Sequence, residues 1–206
     1  IDMSSISPTV TVKIASALAA RGARALDAPV SGGEPGAINA QLAIMVGGPE
    51  DLFEEIRPIF ASLGKSAVRV GAAGAGQTTK LVNQILVGIH LEAMGEGLLL
   101  AAKAGVDPMK VYEAIKGGLA GSNVLNAKVP LVLARNFKPG FKIRLHQKDL
   151  KNALEAASSL GLELPVTGMV KNMVDSLVAQ GYGDDDHGGI MRYLERKNKT
   201  EVRGVS

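Results

Sequence analysis

Apolar positions along the chain fall into two regimes. Up to about Val70, short apolar runs of strand length alternate with stretches of helical spacing. Ile1 to Met3 reads as the end of a strand, Ser4, Ser5 and Ser7 offer helix caps, and Pro8 suits a first helical turn, which predicts a helix over about Thr9 to Ala20. Ala25 to Val30, Leu42 to Val46 and Ala67 to Val70 predict three short strands. Ser31 to Gly36 is too glycine-rich for a regular element and reads as a loop. Between the last two strands, Pro49 and Glu50 open a helix to about Leu63, with acidic residues in its first turn and Gly64 after its end. Strands alternating with helices predict an α/β layer with a largely parallel sheet.

Beyond Gly71 the strand-like runs stop. A glycine-rich loop (Gly71, Gly74, Gly76) leads into a helix that no proline interrupts before Pro108 and that ends near Lys103. Further helices are predicted from Asp107-Pro108 to about Lys116, from Ser122-Asn123 to about Leu133, over about Ile143 to Leu160, and from Pro165 to about Gln180. Gly183 to His187 is a polar loop, and the tail from Gly188 starts helical, then becomes charged and frayed. The predicted fold is therefore α/β followed by all-α, with the boundary at the start of the long helix, dividing residues 1–72 from 73–206. The chain opens at Ile1 with no initiator methionine, so a longer protein is expected.

Composition narrows the function classes. Hydrophobic residues make up 46% and aromatics 3%, so the core must be aliphatic, and the 25 glycines point to close helix contacts and special turns. A net charge of +3, with Lys and Arg spread along the chain, offers no nucleic-acid patch. The lack of cysteine excludes disulfides and thiol catalysis and fits a reducing, cytoplasmic compartment. No uninterrupted apolar run reaches the roughly 18 residues of a membrane span.

Candidate chemistry concentrates at the start of the long helix. Lys80 and Asn83 are three apart and share a face, with Gln77 and Gln84 on or near it. A lysine with amide neighbours, one turn into a helix entered through glycines, suits an anionic or carbonyl-bearing small molecule. The positive helix end disfavours a charged lysine and lowers its pKa, as a proton donor near neutral pH requires. The alternative is a solvated polar face. Ser31-Gly32-Gly33 after a strand can present backbone N–H groups to a carboxylate, or can be a plain tight turn. Lys148 and Asn152, four apart beside Lys151, read as a solvated basic face. Asp184-Asp185-Asp186-His187 lacks the spacing of a calcium loop and the ligand pattern of a zinc site, so no metal is expected. His90 and His146 sit singly in helices and read as packed or surface residues.

Three segments in order, DAPVSGGEPGA, GAAGAGQTTKLVNQ and GFKIRLHQKDLKNAL, resemble the downstream motifs of the β-hydroxyacid dehydrogenase (3-hydroxyisobutyrate dehydrogenase-like) family over about Ile1 to Tyr193. Further segments, among them GGLAGSNVLNAKVPLVLARNFKPGF and GYGDDDH, resemble its tartronate semialdehyde reductase branch. The resemblance implies the C-terminal half of a Rossmann-like nucleotide-binding domain joined by a long helix to an all-helical substrate and dimerisation domain. It implies NAD or NADP as cofactor, a small hydroxy or oxo acid as substrate, and a homodimer or homotetramer. It implies a catalytic role for Lys80 as proton donor, substrate contacts from Ser31, Gly32, Gly33, Asn83 and Ser122, and cofactor contacts from Ser5 and Lys148. The glycine-rich dinucleotide turn of the family is absent from this chain and would precede Ile1. Two alternatives remain open: a sibling enzyme acting on another substrate, such as 3-hydroxyisobutyrate or succinic semialdehyde, and a non-catalytic oligomerisation or binding module.

Overall fold

The computed structural model describes residues 1–204. The chain forms two compact units, one of residues 1–84 with 151–163, the other of residues 85–150 with those from Leu164 on. The first unit contains α1 (Pro8–Ala19), β1 (Val30–Ser31), α2 (Gly33–Ile38), β2 (Leu42–Gly47), α3 (Glu50–Leu63) and β3 (Gly64–Gly71). Pro8 stands at the first position of α1 as its missing N–H allows, while Ser7 holds the cap position without a side-chain hydrogen bond. The core of this unit packs Leu26, Ala28, Ile44 and Val46 against Phe53 and Phe60 of α3.

The sheet differs from the expected one. Its order is β1-β2-β3, with β1 antiparallel and β2–β3 parallel. The chain returns from β1 to β2 through the six-residue α2, and so short a connection suits reversal, whereas a parallel neighbour needs a long crossover. α2 itself occupies the expected loop: Gly32 and Gly33 take φ of 141° and 62°, turning the chain sharply into a helix. The expected strand at Ala25 to Val30 survives only as Val30–Ser31 and isolated bridges from Asp27 to Asp2 and Gly47, because Pro29 has no N–H to donate. β3 starts three residues earlier than expected; it is an edge strand with Lys65 and Val68 exposed, so its apolar alternation is weak.

α4 (Ala75–Lys103) begins in the first unit and continues in the second. An 18-residue window of it has mean hydropathy 1.6, so by length and composition α4 could cross a membrane, contrary to the expectation from uninterrupted runs. Its buried stripe (Leu81, Gly88, Leu91, Met94, Leu98) identifies it as a core helix. The second unit adds α5 (Pro108–Ile115), α6 (Asn123–Leu133), the first half of α7 (Ile143–Ser159), α8 (Pro165–Ala179), a 3-10 turn (His187–Ile190) and α9 (Met191–Asn198). Asp107 caps α5 and Ser122 caps α6, each through its side chain. The charged tail is not frayed through its described residues: Leu194 and Val202 are buried in the core, and the Glu195 carboxylate accepts from Arg135 and from the Val202 N–H. Local charge content gave no sign of these distant partners.

Glu92 and Glu96 stand one turn apart on α4. Burial, with the hydrogen bond to Glu96 and its charge, pushes the Glu92 carboxyl from 4.5 up to about 7. Such an acid favours the folded state only while protonated, so its contribution is present below the unfolded pKa and is lost as pH rises through the folded one. Replacing Glu96 with Gln is expected to shrink the fall in unfolding midpoint between about pH 5 and about pH 8. Thermal melts at the two pH values check this, and an unchanged fall would contradict it.

Candidate active site

The entry to α4 is built around Asp27. This buried carboxylate accepts from the backbone N–H of Gly74 (2.8 Å) through Oδ1 and from that of Gln77 (2.9 Å) through Oδ2. It thereby satisfies two of the N–H groups that a helix start leaves open and places a negative charge at the positive helix end. The backbones close tightly around it. A Cβ on Gly76 would lie 2.5 Å from the Met45 carbonyl oxygen and 2.8 Å from Asp27 Oδ2, so only glycine fits.

One turn on, Gln77 is also buried. Its Oε1 accepts from the Ile6 N–H (3.0 Å) and its Nε2 donates to the Ser4 carbonyl (2.7 Å). The amide brackets Ser5, fixing the segment after the first bridge to the start of α4. Lys80 follows on the same face at 6% exposure and Gln84 is buried beyond it. The alternative of a solvated polar face gives way to a buried polar row, in which Lys80 and Gln84 both have interaction partners. A buried ammonium or amine is costly without such engagement. Asn83 lies half-buried, and its Oδ1 is a buried acceptor without a protein donor. A buried acceptor left open in this way suits a hydroxyl or N–H brought by a ligand.

The other expected site residues are distributed as follows. Ser31, Gly32 and Gly33 belong to the first unit, with Ser31 closing β1 and the glycines forming the turn into α2. Ser122 and Lys148 belong to the second unit. The Ser122 hydroxyl accepts from the Leu125 N–H (3.1 Å), and the residue lines a cavity of about 350 Å³ with His90, Met94, Tyr112 and Leu125. Lys148 is half-exposed, with Nζ 3.1 Å from Oδ1 of buried Asp149. The acidic loop has a structural role. Asp186 accepts from Lys128 Nζ at 2.8 Å through both oxygens and from the N–H groups of Gly140, Phe141 and Gly188. Burial alone would raise its carboxyl; the Lys128 hydrogen bond, the His187 charge and the Gly188 N–H outweigh burial and hold it below the usual range. Among the described residues no group of three potential ligands converges on a metal position.

Sequence reasoning missed Asp27 as an organiser of this site. Its partners lie 47 and 50 residues away, and no spacing rule links them.

The family described as NAD-binding of NADP-dependent 3-hydroxyisobutyrate dehydrogenase matches residues 74–194, and the NAD binding domain of 6-phosphogluconate dehydrogenase matches residues 1–72. The chain is 47% identical over 195 residues to 2-hydroxy-3-oxopropionate reductase of Escherichia coli K12, covering 95% of this chain and 67% of that protein. It is 37% identical over 205 residues to 2-(hydroxymethyl)glutarate dehydrogenase of Eubacterium barkeri, covering 99% and 68%. The solved structure of Mycobacterium tuberculosis 3-hydroxyisobutyrate dehydrogenase with L-serine superposes with a TM-score of 0.87 at 30% identity, covering 94% and 68%. The chain thus spans about two thirds of the length of these relatives. It belongs to the 3-hydroxyisobutyrate dehydrogenase family of NAD(P)-dependent oxidoreductases.

Proposed function

We propose that this chain carries the substrate-handling part of a reductase that converts tartronate semialdehyde to D-glycerate. The observation that carries the reading is the buried Lys80 followed one turn later by the open Asn83 Oδ1. The substrate assignment is supported by the 47% identity to 2-hydroxy-3-oxopropionate reductase. Residues 1–72 form the C-terminal part of the nucleotide-binding domain, and 73–206 the substrate and dimerisation domain. A homodimer or homotetramer belongs to the same reading, as the family resemblance implies.

Lys80 donates the proton to the carbonyl oxygen as it gains negative charge, and Asn83 Oδ1 accepts from a substrate hydroxyl to orient it. Ser31, Gly32 and Gly33 hold the carboxylate through the Ser31 hydroxyl and the backbone N–H groups of the turn. Ser122 adds a further substrate contact. A hydroxyl at Ser5 and an ammonium at Lys148 suit the sugar hydroxyls and phosphates of a dinucleotide, so the residues present fit NAD or NADP. The nicotinamide supplies the hydride when bound, and the protein supplies position and the proton.

The test is loss of nicotinamide absorbance with tartronate semialdehyde, using NADH and NADPH separately, on the chain extended to the length of its relatives. Rapid turnover is the expected result. Activity only with the semialdehydes of sibling enzymes would keep the mechanism and replace the substrate. Inactivity with every semialdehyde would overturn the role given to Lys80.

A further inference from the structure

Gln77 is 1% exposed, and the oxygen and nitrogen of its side chain both meet protein partners. Those partners fix which way round the amide lies. The Ile6 N–H can only donate, so it faces Oε1, and the Ser4 carbonyl can only accept, so it faces Nε2. Residues 4–6 belong to no regular element; they run from the bridge between Asp2 and Asp27 towards the start of α1. The backbone N–H of Gln77 donates in turn to Asp27, the residue that pairs with Asp2 in that bridge. A side chain 71 and 73 residues away in sequence thus holds the peptide groups on either side of Ser5. Ser5 has further interactions of its own, and the amide acts on the backbone around it.

We propose that Gln77 is a positioning residue for the nicotinamide cofactor: it holds Ser4–Ile6 in register with the turn of α4 that carries Lys80, so that cofactor and proton donor keep one frame. This rests on the assignment of Ser5 to the cofactor and of Lys80 to the proton. The register matters because a misplacement of about 1 Å can cost on the order of a hundredfold in rate. The role needs an amide of this length. Ionised glutamate has no donor for the Ser4 carbonyl, lysine has no acceptor for the Ile6 N–H, and asparagine is one methylene short. Methionine fills much of the volume and offers neither group, so the Ile6 N–H and the Ser4 carbonyl would both lose this partner.

The test is titration of NADH and NADPH, followed by nicotinamide fluorescence, into the chain extended to the length of its relatives. Gln77→Met is expected to weaken binding of the accepted cofactor by about tenfold, the scale of one or two lost hydrogen bonds. Gln77→Glu supplies a readout that a purely structural role would not move. A protonated carboxyl has one O–H and one C=O and replaces the amide group for group, whereas a carboxylate does not. Burial beside the Asp27 carboxylate, with Asp2 two residues before Ser4, raises the pKa of the new acid, and Lys80 one turn on opposes the rise. At about pH 5.5, Gln77→Glu is therefore expected to bind within about twofold of the parent, and its affinity relative to the parent to fall as the acid ionises. Methionine binding as tightly as the parent would overturn the proposal. So would Gln77→Glu binding no tighter than methionine at about pH 5.5. Should Gln77→Met fail to fold, the acid variant decides alone: relative affinity that stays level from about pH 5.5 to about pH 9 would overturn the proposal. A parent that binds neither cofactor would overturn the functional reading itself, whereas a binding parent with insensitive variants removes only the role of Gln77.

Discussion

Lys80→Ala, made in the chain extended to the length of its relatives, is expected to lower kcat for semialdehyde reduction by about 10²- to 10⁴-fold, the usual contribution of a positioned general acid. Cofactor affinity is expected to stay close to that of the parent, because the ammonium acts on the developing oxyanion. Lys80→Met separates chemistry from packing. Lys80 is buried, and methionine fills much of the same volume without an ionisable group. The methionine variant should therefore lose turnover as alanine does while unfolding near the parent midpoint. Steady-state kinetics, a cofactor titration and a thermal melt on each variant make the comparison. Near-normal turnover in either variant would remove Lys80 from the mechanism.

Asp27→Ala is expected to cost about 3 kcal/mol of stability in urea unfolding. The substitution strips acceptors from the Gly74 and Gln77 N–H groups at a buried helix start, and both bonds are charge-assisted. Asp27→Asn keeps one carbonyl oxygen and should recover part of the loss. Gly76→Ala attacks the same place from the other side, since its Cβ would press on the Met45 carbonyl and on Asp27. It is expected to destabilise by about 1–3 kcal/mol, as overpacking does. A cost for Asp27→Ala below about 1 kcal/mol would mean that water replaces the carboxylate and that the start of α4 is held by other contacts. These variants bear on activity as well, because Lys80 lies in the turn that follows Gln77.

The local signals were sufficient for most helices. Proline at the first positions of α1, α5 and α8, side-chain caps at Asp107 and Ser122, and glycine at 105 and 161 after helix ends act within a few residues of themselves. β2 was legible for the same reason: an apolar run of strand length bounded by Gly47-Gly48-Pro49 carries its own signal. The shared face of Lys80 and Asn83 follows from helical periodicity alone, and the order of three motifs placed the chain in its family.

Tertiary structure decided what depends on distant partners. It buried Lys80, turning a polar helix start into a candidate active site; it reversed β1 against β2 and folded the glycine loop into α2. It gave Asp27 its role, joined His146 to His187 across 41 residues, and packed Val202 into the core. Caps, turns and periodicity express energies among neighbours in the chain, so a sequence displays them directly. Burial and long-range hydrogen bonds arise only when packing brings separate segments together and removes water from between them.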